Sequence, residues 1–453
     1  MYSLKIYQNL VKIFKLAVPI TTAFVAMGIM GIVDTIIVGH YNTGQLAYIG
    51  LANSVFVVLF TIPIGLLQGV LIKSSQKFGA RKFASCGKIY NEGRKYLVVL
   101  SVIFTLLGIN GELVLTLLGQ SPDMAAGGGK VLQVFVFSIP FILIYVNANF
   151  FLQSIKRPYV AMYGVIIANI LNIAINPVLV YGKLGLPELG AVGSATSTLI
   201  VRIFLAAFML YYIARMKKNP KLNKRFGLDR SYETWWNDSK TTRKIGYGVA
   251  IVVIATNGSF SMVSTFAGWM GQQTMAMFVI MVNISSLMFM ICFSISQATS
   301  IIVANAYGRR DRIDMITSTA AGYVLSLSVI LLVILGIACF PKQVFGIFTN
   351  DPHVIDAITA LLFYLLLDVF IDALPLNITG SLNGRSDVKI PTINQLVAFL
   401  GIRISACYLL AFTYGLGLKG LILGLAAGGA SSLLLNGARF FYLVRRDKLY
   451  GVK

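Results

Sequence analysis

Charge is scarce in this chain, and acidic charge scarcer still. Only 12% of its 453 residues are charged, against about 25% in an ordinary soluble domain, while 57% are apolar. There are 16 Asp and Glu and only 2 histidines, His40 and His353, far apart in sequence, so metal-centred catalysis has few ligands to draw on. The 4 cysteines (Cys86, Cys292, Cys339, Cys407) form no CxxC pair and mostly lie in apolar runs, which argues against a disulfide framework or a zinc site. The glycine-rich stretches, Gly127 to Gly129 and Gly424 with Gly428 and Gly429, lack the strand-turn-helix context of a phosphate cradle and read as close-packing or flexing points. No Ser/His or facing-aspartate constellation suggests an intramembrane enzyme, and no cofactor is expected.

What the chain has instead is long apolar runs. A hydrocarbon core about 30 Å thick takes roughly 20 apolar residues per helical crossing. Twelve runs qualify: 14–39, 46–73, 95–118, 130–153, 158–182, 189–214, 246–270, 273–304, 316–340, 354–382, 390–414 and 417–443. The expected fold is therefore an all-α polytopic membrane protein with 12 transmembrane helices. The first run is too long for a signal-peptide core and reads as an uncleaved span. Basic residues crowd alternate connections: Lys73, Lys77, Arg81, Lys82, Lys88, Arg94 and Lys95 after the second span, a cluster from Arg215 to Lys244, and Arg309, Arg310 and Arg312 after the eighth. The opposite loops offer Lys130, Lys183, Lys342 and Lys419. By the positive-inside rule both termini are cytoplasmic. The formal charge of +22 thus reads as an orientation signal rather than a nucleic-acid footprint.

An internal repeat divides the chain. Gly39, Ala47, Phe60, Gln68, Gly79 and Arg81 recur, at one constant offset of half the chain, as Gly268, Ala276, Phe289, Gln297, Gly308 and Arg310. Gly190 and Gly193 recur as Gly417 and Gly420. Six spans per repeat start both halves on the same side, so the repeat is parallel and predicts two six-helix lobes, 1–214 and 246–453, joined by a basic linker, 215–245. Trp235 and Trp236 in that linker suit the membrane interface.

A carboxylate at the centre of a span costs about 2.5–3.5 kcal/mol on insertion scales. Asp34 in span 1 and Asp368 with Asp372 in span 10 are the candidates. Four residues apart, the latter two share a helical face about 6 Å apart along the axis and should exchange protons as a pair. Alternatively, each acid pairs structurally with Arg202 or Arg403. Asn169, Asn172 and Asn176 form a polar stripe in span 5, with Pro177 placed to break the helical ladder. The stripe serves either to bind a hard cation such as sodium or to hydrogen-bond between helices. Spans 7 and 8 are rich in Met and Phe, whose polarizable and aromatic surfaces suit organic cations wherever they face a cavity.

Gly31-Ile-Val-Asp34-Thr-Ile-Ile-Val-Gly39 with Leu46-Ala47-Tyr-Ile-Gly50-Leu51, Gly190-Ala-Val-Gly193-Ser-Ala-Thr-Ser-Thr198, and Asp372-Ala373 through Gly380-Ser-Leu-Asn-Gly384 together resemble the multidrug and toxic compound extrusion (MATE) family, in its bacterial NorM-like branch. The resemblance covers nearly the whole chain. It implies a V-shaped central cavity between the lobes and a secondary active antiporter that exports cationic drugs in exchange for protons or sodium by alternating access. It further implies a cation site of Asp34, Asn172, Asn176 and Thr198, with Na+ as a possible occupant. Several relatives carry an aspartate where Asn176 stands, so the amide removes one charge there. In the second lobe Asp372 matches the branch's span 10 acid, while the branch's span 7 glutamate appears as Thr256, beside Asn257. A cation or proton site there would rest on Asp368 and Asp372 with Thr256 and Asn257. Gln68, Asn147, Gln297, Met262, Met288 and Phe289 are candidates to line the substrate cavity. A monomer in the bacterial inner membrane, in contact with lipids and binding no nucleic acid, is expected. The alternative is a flippase for lipids or lipid-linked oligosaccharides on the same architecture, which would want cationic side chains such as Arg202 and Arg403 in its cavity.

Overall fold

The computed structural model describes residues 2–230, 235–347 and 352–449, though not the side chains at 2, 43, 235, 272, 276, 448 and 449. Among the described residues the chain is helical throughout and has no strand. Its first half runs α1 (Tyr2–Tyr41), α2 (Thr43–Gly79), α3 (Phe83–Gly108), α4 (Gly111–Leu117), α5 (Pro122–Phe137), α6 (Ile139–Ser154), α7 (Tyr159–Val180), α8 (Gly190–Lys218) and α9 (Pro220–Phe226). Then follow α10 (Trp235–Asp238), α11 (Lys240–Trp269), α12 (Gln272–Arg309), α13 (Arg312–Cys339), α14 (Pro341–Gly346), α15 (Pro352–Ala360), α16 (Leu362–Gly384), α17 (Lys389–Leu396), α18 (Ile404–Tyr408) and α19 (Leu418–Leu449). The π-helical stretches Val397–Arg403 and Leu409–Thr413 flank α18.

Among the described residues 11 helices are long and apolar enough to cross a membrane, or 12 when α3 and α4, bent by 64°, count as one span. Each overlaps one of the twelve expected runs. The tenth run is interrupted at Leu361, which separates α15 from α16. Pro177 does not end its helix as expected: α7 continues to Val180, and Tyr181 N–H still donates to the Pro177 carbonyl (3.1 Å). A proline removes only its own N–H, and membrane-spanning helices accommodate that loss through neighbouring helices and local adjustment.

The chain forms two compact units, Thr22–Ala250 and Met1–Thr21 with Ile251–Lys453. They part within α1 and α11 rather than at the basic segment. In the first unit, the start of α11 lies so close to α2 that a Cβ on Gly246 would stand 2.0 Å from the Leu66 carbonyl, and one on Gly69 2.0 Å from that of Thr242. In the second unit, the start of α1 is fastened to α13: Asn9 Nδ2 donates to Asp314 Oδ1 (2.7 Å) and Thr317 Oγ1 (3.0 Å).

Part of the stretch read as a linker is packed. Phe226 is buried, its ring edge-on to Phe83 and Phe151, and Gly87 leaves room for its carbonyl. Trp236 is half exposed, with the Arg243 guanidinium 3.6 Å over its ring; the side chain of Trp235 lies outside the described residues.

The second unit is knitted by short polar side chains. Asn377 Nδ2 donates to Ser326 Oγ (2.6 Å), and Thr319 Oγ1 to Ser381 Oγ (2.9 Å). Gly380 brings α16 against Ser296 of α12. Without a hydrophobic drive between helices in lipid, such contacts and close packing hold a bundle together. Gly246→Val, which drives a branched side chain into the Leu66 carbonyl, should destabilise the protein by about 1–3 kcal/mol. Gly258→Ala, with nothing within 4 Å of its new Cβ, should not. The thermal unfolding midpoints of the two variants in detergent check both outcomes.

Candidate cation site

The site in the first unit begins with a close approach of two helices. Gly190, at φ +53°, turns the chain into α8, and the α8 N-terminus is pinned where Ala191 N–H donates to Gln45 Oε1 (3.0 Å). Three residues on, a Cβ at Gly193 would stand 2.6 Å from the Leu179 carbonyl of α7. Only a glycine permits that spacing. It lays Ser194, Ser197 and Thr198, one turn apart on α8, against Asn172 and Asn176, one turn apart on α7.

Asp34 of α1 completes the cluster. Its carboxylate is 6% exposed. Oδ1 accepts from Asn176 Nδ2 (2.6 Å) and Asn172 Nδ2 (3.1 Å), and Oδ2 accepts from Thr198 Oγ1 (2.8 Å). Behind the amides, Asn176 Nδ2 also reaches Ser194 Oγ (3.3 Å) and Asn172 Nδ2 reaches Ser197 Oγ (3.4 Å). All four residues expected at this site therefore converge. Ser194 and Ser197 were missed as site residues, although their one-turn spacing beside Thr198 was visible in the sequence. Asn169, third in the stripe, turns its amide to its own helix at the Val165 carbonyl (3.0 Å).

Two features make the cluster more than helix glue. The amide oxygens of Asn172 and Asn176 are buried and accept no hydrogen bond among the described residues, which costs free energy unless something else uses them. Nor is Asp34 ion-paired among the described residues. Arg202 donates to Ser138 Oγ (2.5 Å) and lies 4.6 Å over the Phe56 ring. Turning the two amides would present two carboxylate, two amide and one hydroxyl oxygen to one point, a donor set that suits a hard cation.

The second unit treats its acids differently. Asp372 forms an ion pair with Arg403, whose side chain is fully buried between the rings of Phe260 (5.0 Å) and Phe399 (4.3 Å). Here the structural pairing, and not a proton-sharing pair of aspartates alone, is what the fold builds. Gly428 and Gly429 of α19 provide the space: a Cβ would stand 2.6 Å from Arg403 Nε or 2.9 Å from Asp372 Oδ1. Among the described residues, one oxygen of Asp368, one turn away and buried, has no hydrogen-bond partner, and neither have Nε and Nη1 of Arg403. Thr256 and Asn257 do not join this group by hydrogen bonds. Thr256 Oγ1 donates to its own helix at Val252 O (2.8 Å), and Asn257 is exposed.

The expected cavity residues are spread over both units. Asn147 is buried and donates to the Tyr90 carbonyl (3.2 Å), and Gln68 is half-buried. In the other unit Gln297 and Met288 are buried, whereas Met262 and Phe289 are exposed, the latter stacked on Phe293.

With this geometry in view, comparison with known proteins is direct. The MatE family model matches residues 19–178 and 249–409. A Caulobacter vibrioides protein named probable multidrug resistance protein NorM is 30% identical over 98% of this chain and 93% of its own length. The multidrug resistance protein NorM of Vibrio cholerae is 25% identical over 96% of each chain. Among solved structures, the eukaryotic MATE transporter AtDTX14 superposes with a TM-score of 0.86 at 19% identity, covering 98% of this chain and 99% of that one. A Pyrococcus furiosus MOP superfamily transporter, described as having a binding pocket of reversed polarity that suggests a different function, gives 0.85 at 18% identity over 97% of each.

The asymmetry between the two acidic sites is testable. Asp372→Asn strands the Arg403 guanidinium in the core and should destabilise the protein by on the order of 3 kcal/mol. Asp368→Asn, which breaks no hydrogen bond, should leave the thermal unfolding midpoint within a degree or two of the parent's.

Proposed function

The chain belongs to the MatE family, and on that premise we propose that it is a secondary active antiporter of the bacterial inner membrane, with both termini cytoplasmic, that exports organic cations in exchange for protons or sodium. That it is a multi-pass bacterial membrane protein of the multidrug-efflux type follows from its helices and its NorM relatives. The coupling reading is carried by one observation: among the described residues a buried carboxylate is held by neutral donors, next to two buried amide oxygens that accept no hydrogen bond.

With no cation bound, Asp34 is ionised and held by Asn172, Asn176 and Thr198. A proton arriving on the carboxylate converts an acceptor into a donor, and a turned amide oxygen receives it. Sodium would instead be held by the carboxylate, both amide oxygens and the Thr198 hydroxyl. Either cation neutralises the site and removes the attraction that holds a cationic substrate. Mutual exclusion at one carboxylate is sufficient for antiport. Each unit of pH difference supplies about 1.4 kcal/mol per proton, roughly a tenfold concentration ratio.

The flippase alternative gains nothing from Arg202 and Arg403. Arg403 is matched by Asp372, and Arg202 is occupied by Ser138 and Phe56. The NorM relatives carry resistance names and the plant neighbour a transporter name, which favours transport over an enzymatic role.

Efflux of a fluorescent organic cation from proteoliposomes, under imposed proton-only and sodium-only gradients, tests the proposal. Asp34→Asn should abolish gradient-driven efflux under either gradient while the purified protein keeps its thermal stability; undiminished efflux would refute the assignment. Asn176→Leu removes one donor to the carboxylate and one oxygen for the cation. It should weaken the apparent affinity for the coupling cation by roughly ten- to a hundredfold, the equivalent of about 1.5–3 kcal/mol for a hydrogen bond to a charged group. The half-saturating cation concentration in the same assay reads that shift.

A further inference from the structure

At the end of the Thr22–Ala250 unit that carries its basic loops, α3, α6 and α8 frame a cavity of about 490 Å³ floored by Asn147. Its two walls have the same polarity. On α3, Arg94 and Lys95 stand one turn nearer the basic end than Val98. On α8, Lys217 stands two turns nearer that end than Leu210. Val98 is 57% exposed and Leu210 39%, so the cavity opens sideways along an apolar lip. Among the described residues neither Arg94 nor Lys95 forms an ion pair. Lys217 is met by Asp229 at 2.6 Å, both side chains about half exposed, and such a pair exchanges partners readily.

We propose that this cavity binds an anionic phospholipid of the surrounding bilayer, its phosphodiester on Arg94, Lys95 and Lys217 and one acyl chain along Val98 and Leu210. Three cations converging at one end of a groove between spanning helices match a phosphate at headgroup depth. A soluble phosphate would find the same cations and leave the apolar lip uncovered. A lipid covers both. The occupancy of this groove is independent of which ion drives transport and of whether the cargo is a drug.

The test is native mass spectrometry of the full-length, delipidated protein in detergent, titrated with dioleoylphosphatidylglycerol or dioleoylphosphatidylcholine. The parent protein should take up one phosphatidylglycerol ahead of any phosphatidylcholine. R94Q/K95Q should lower the occupancy of that first phosphatidylglycerol about tenfold or more and leave phosphatidylcholine uptake unchanged. K240Q/K244Q removes the same charge from exposed positions outside the cavity and should leave the first phosphatidylglycerol in place. Equal losses in both variants, or no preference for the anionic lipid in the parent, would overturn the proposal. Displacement of the bound lipid by millimolar inorganic phosphate would overturn it in favour of a soluble anion.

Discussion

A carboxylate at membrane depth has no bulk water to solvate it, so the fold itself must supply every hydrogen bond that keeps it charged. Asp34 states the problem for this protein, and much of the first unit's local structure answers it. Gly193 brings two helices close enough for their amides and hydroxyls to meet one carboxylate. Pro177 is tolerated one residue beyond Asn176 because the helix closes over it. Arg202, a turn beyond Thr198, is kept off the acid by Ser138 and by the face of Phe56. An arginine on Asp34 would satisfy the carboxylate permanently and leave nothing for a passing cation to displace.

The two units solve the same problem in opposite ways. In the first, the acid is met by neutral groups that either donate or accept on a side-chain rotation. In the second, Asp372 is met by a fixed positive charge stacked between aromatic rings. In the mechanism we propose, the first arrangement responds to a proton or a small cation, and the second resists both because neutralising Asp372 would strand Arg403. The repeat thus conserves the helical frame while its polar centres diverge. In the second unit Asp368 lies one turn from that ion pair, with an oxygen that has no hydrogen-bond partner among the described residues.

Asn172, Asn176 and Thr198 as partners of Asp34 were implied by the family resemblance, whereas the spans and Asp34 as a candidate were legible in the sequence because membrane thickness and the cost of buried charge leave few alternatives. The pairing of Asp372 was less so: Arg403 lies on another helix, and only the close approach of α19 at Gly428 and Gly429 decides which carboxylate it meets. The contributions of Ser194 and Ser197 were hidden because hydroxyls commonly bond back to their own helix, as Thr256 does. The division of the chain within α1 and α11 was beyond reach. Hydropathy reports that a helix crosses the membrane and says nothing of which neighbours each half of it packs on.

Placement by the positive-inside rule needs charge only on one side of the membrane, and it is indifferent to what each cation touches. In the folded chain many are committed: Arg439 chelates Asp387 through two bonds (2.8 and 3.0 Å), Arg385 is buried against Asp447, Arg225 lies over Phe83, and Arg243 lies over Trp236. Those residues anchor helix ends and the packed part of the basic segment. Arg94 and Lys95 have no ion-pair partner among the described residues, at a place where apolar wall and basic rim meet. In the lipid-binding reading proposed above, the counter-charge for these residues comes from the headgroup layer beside them.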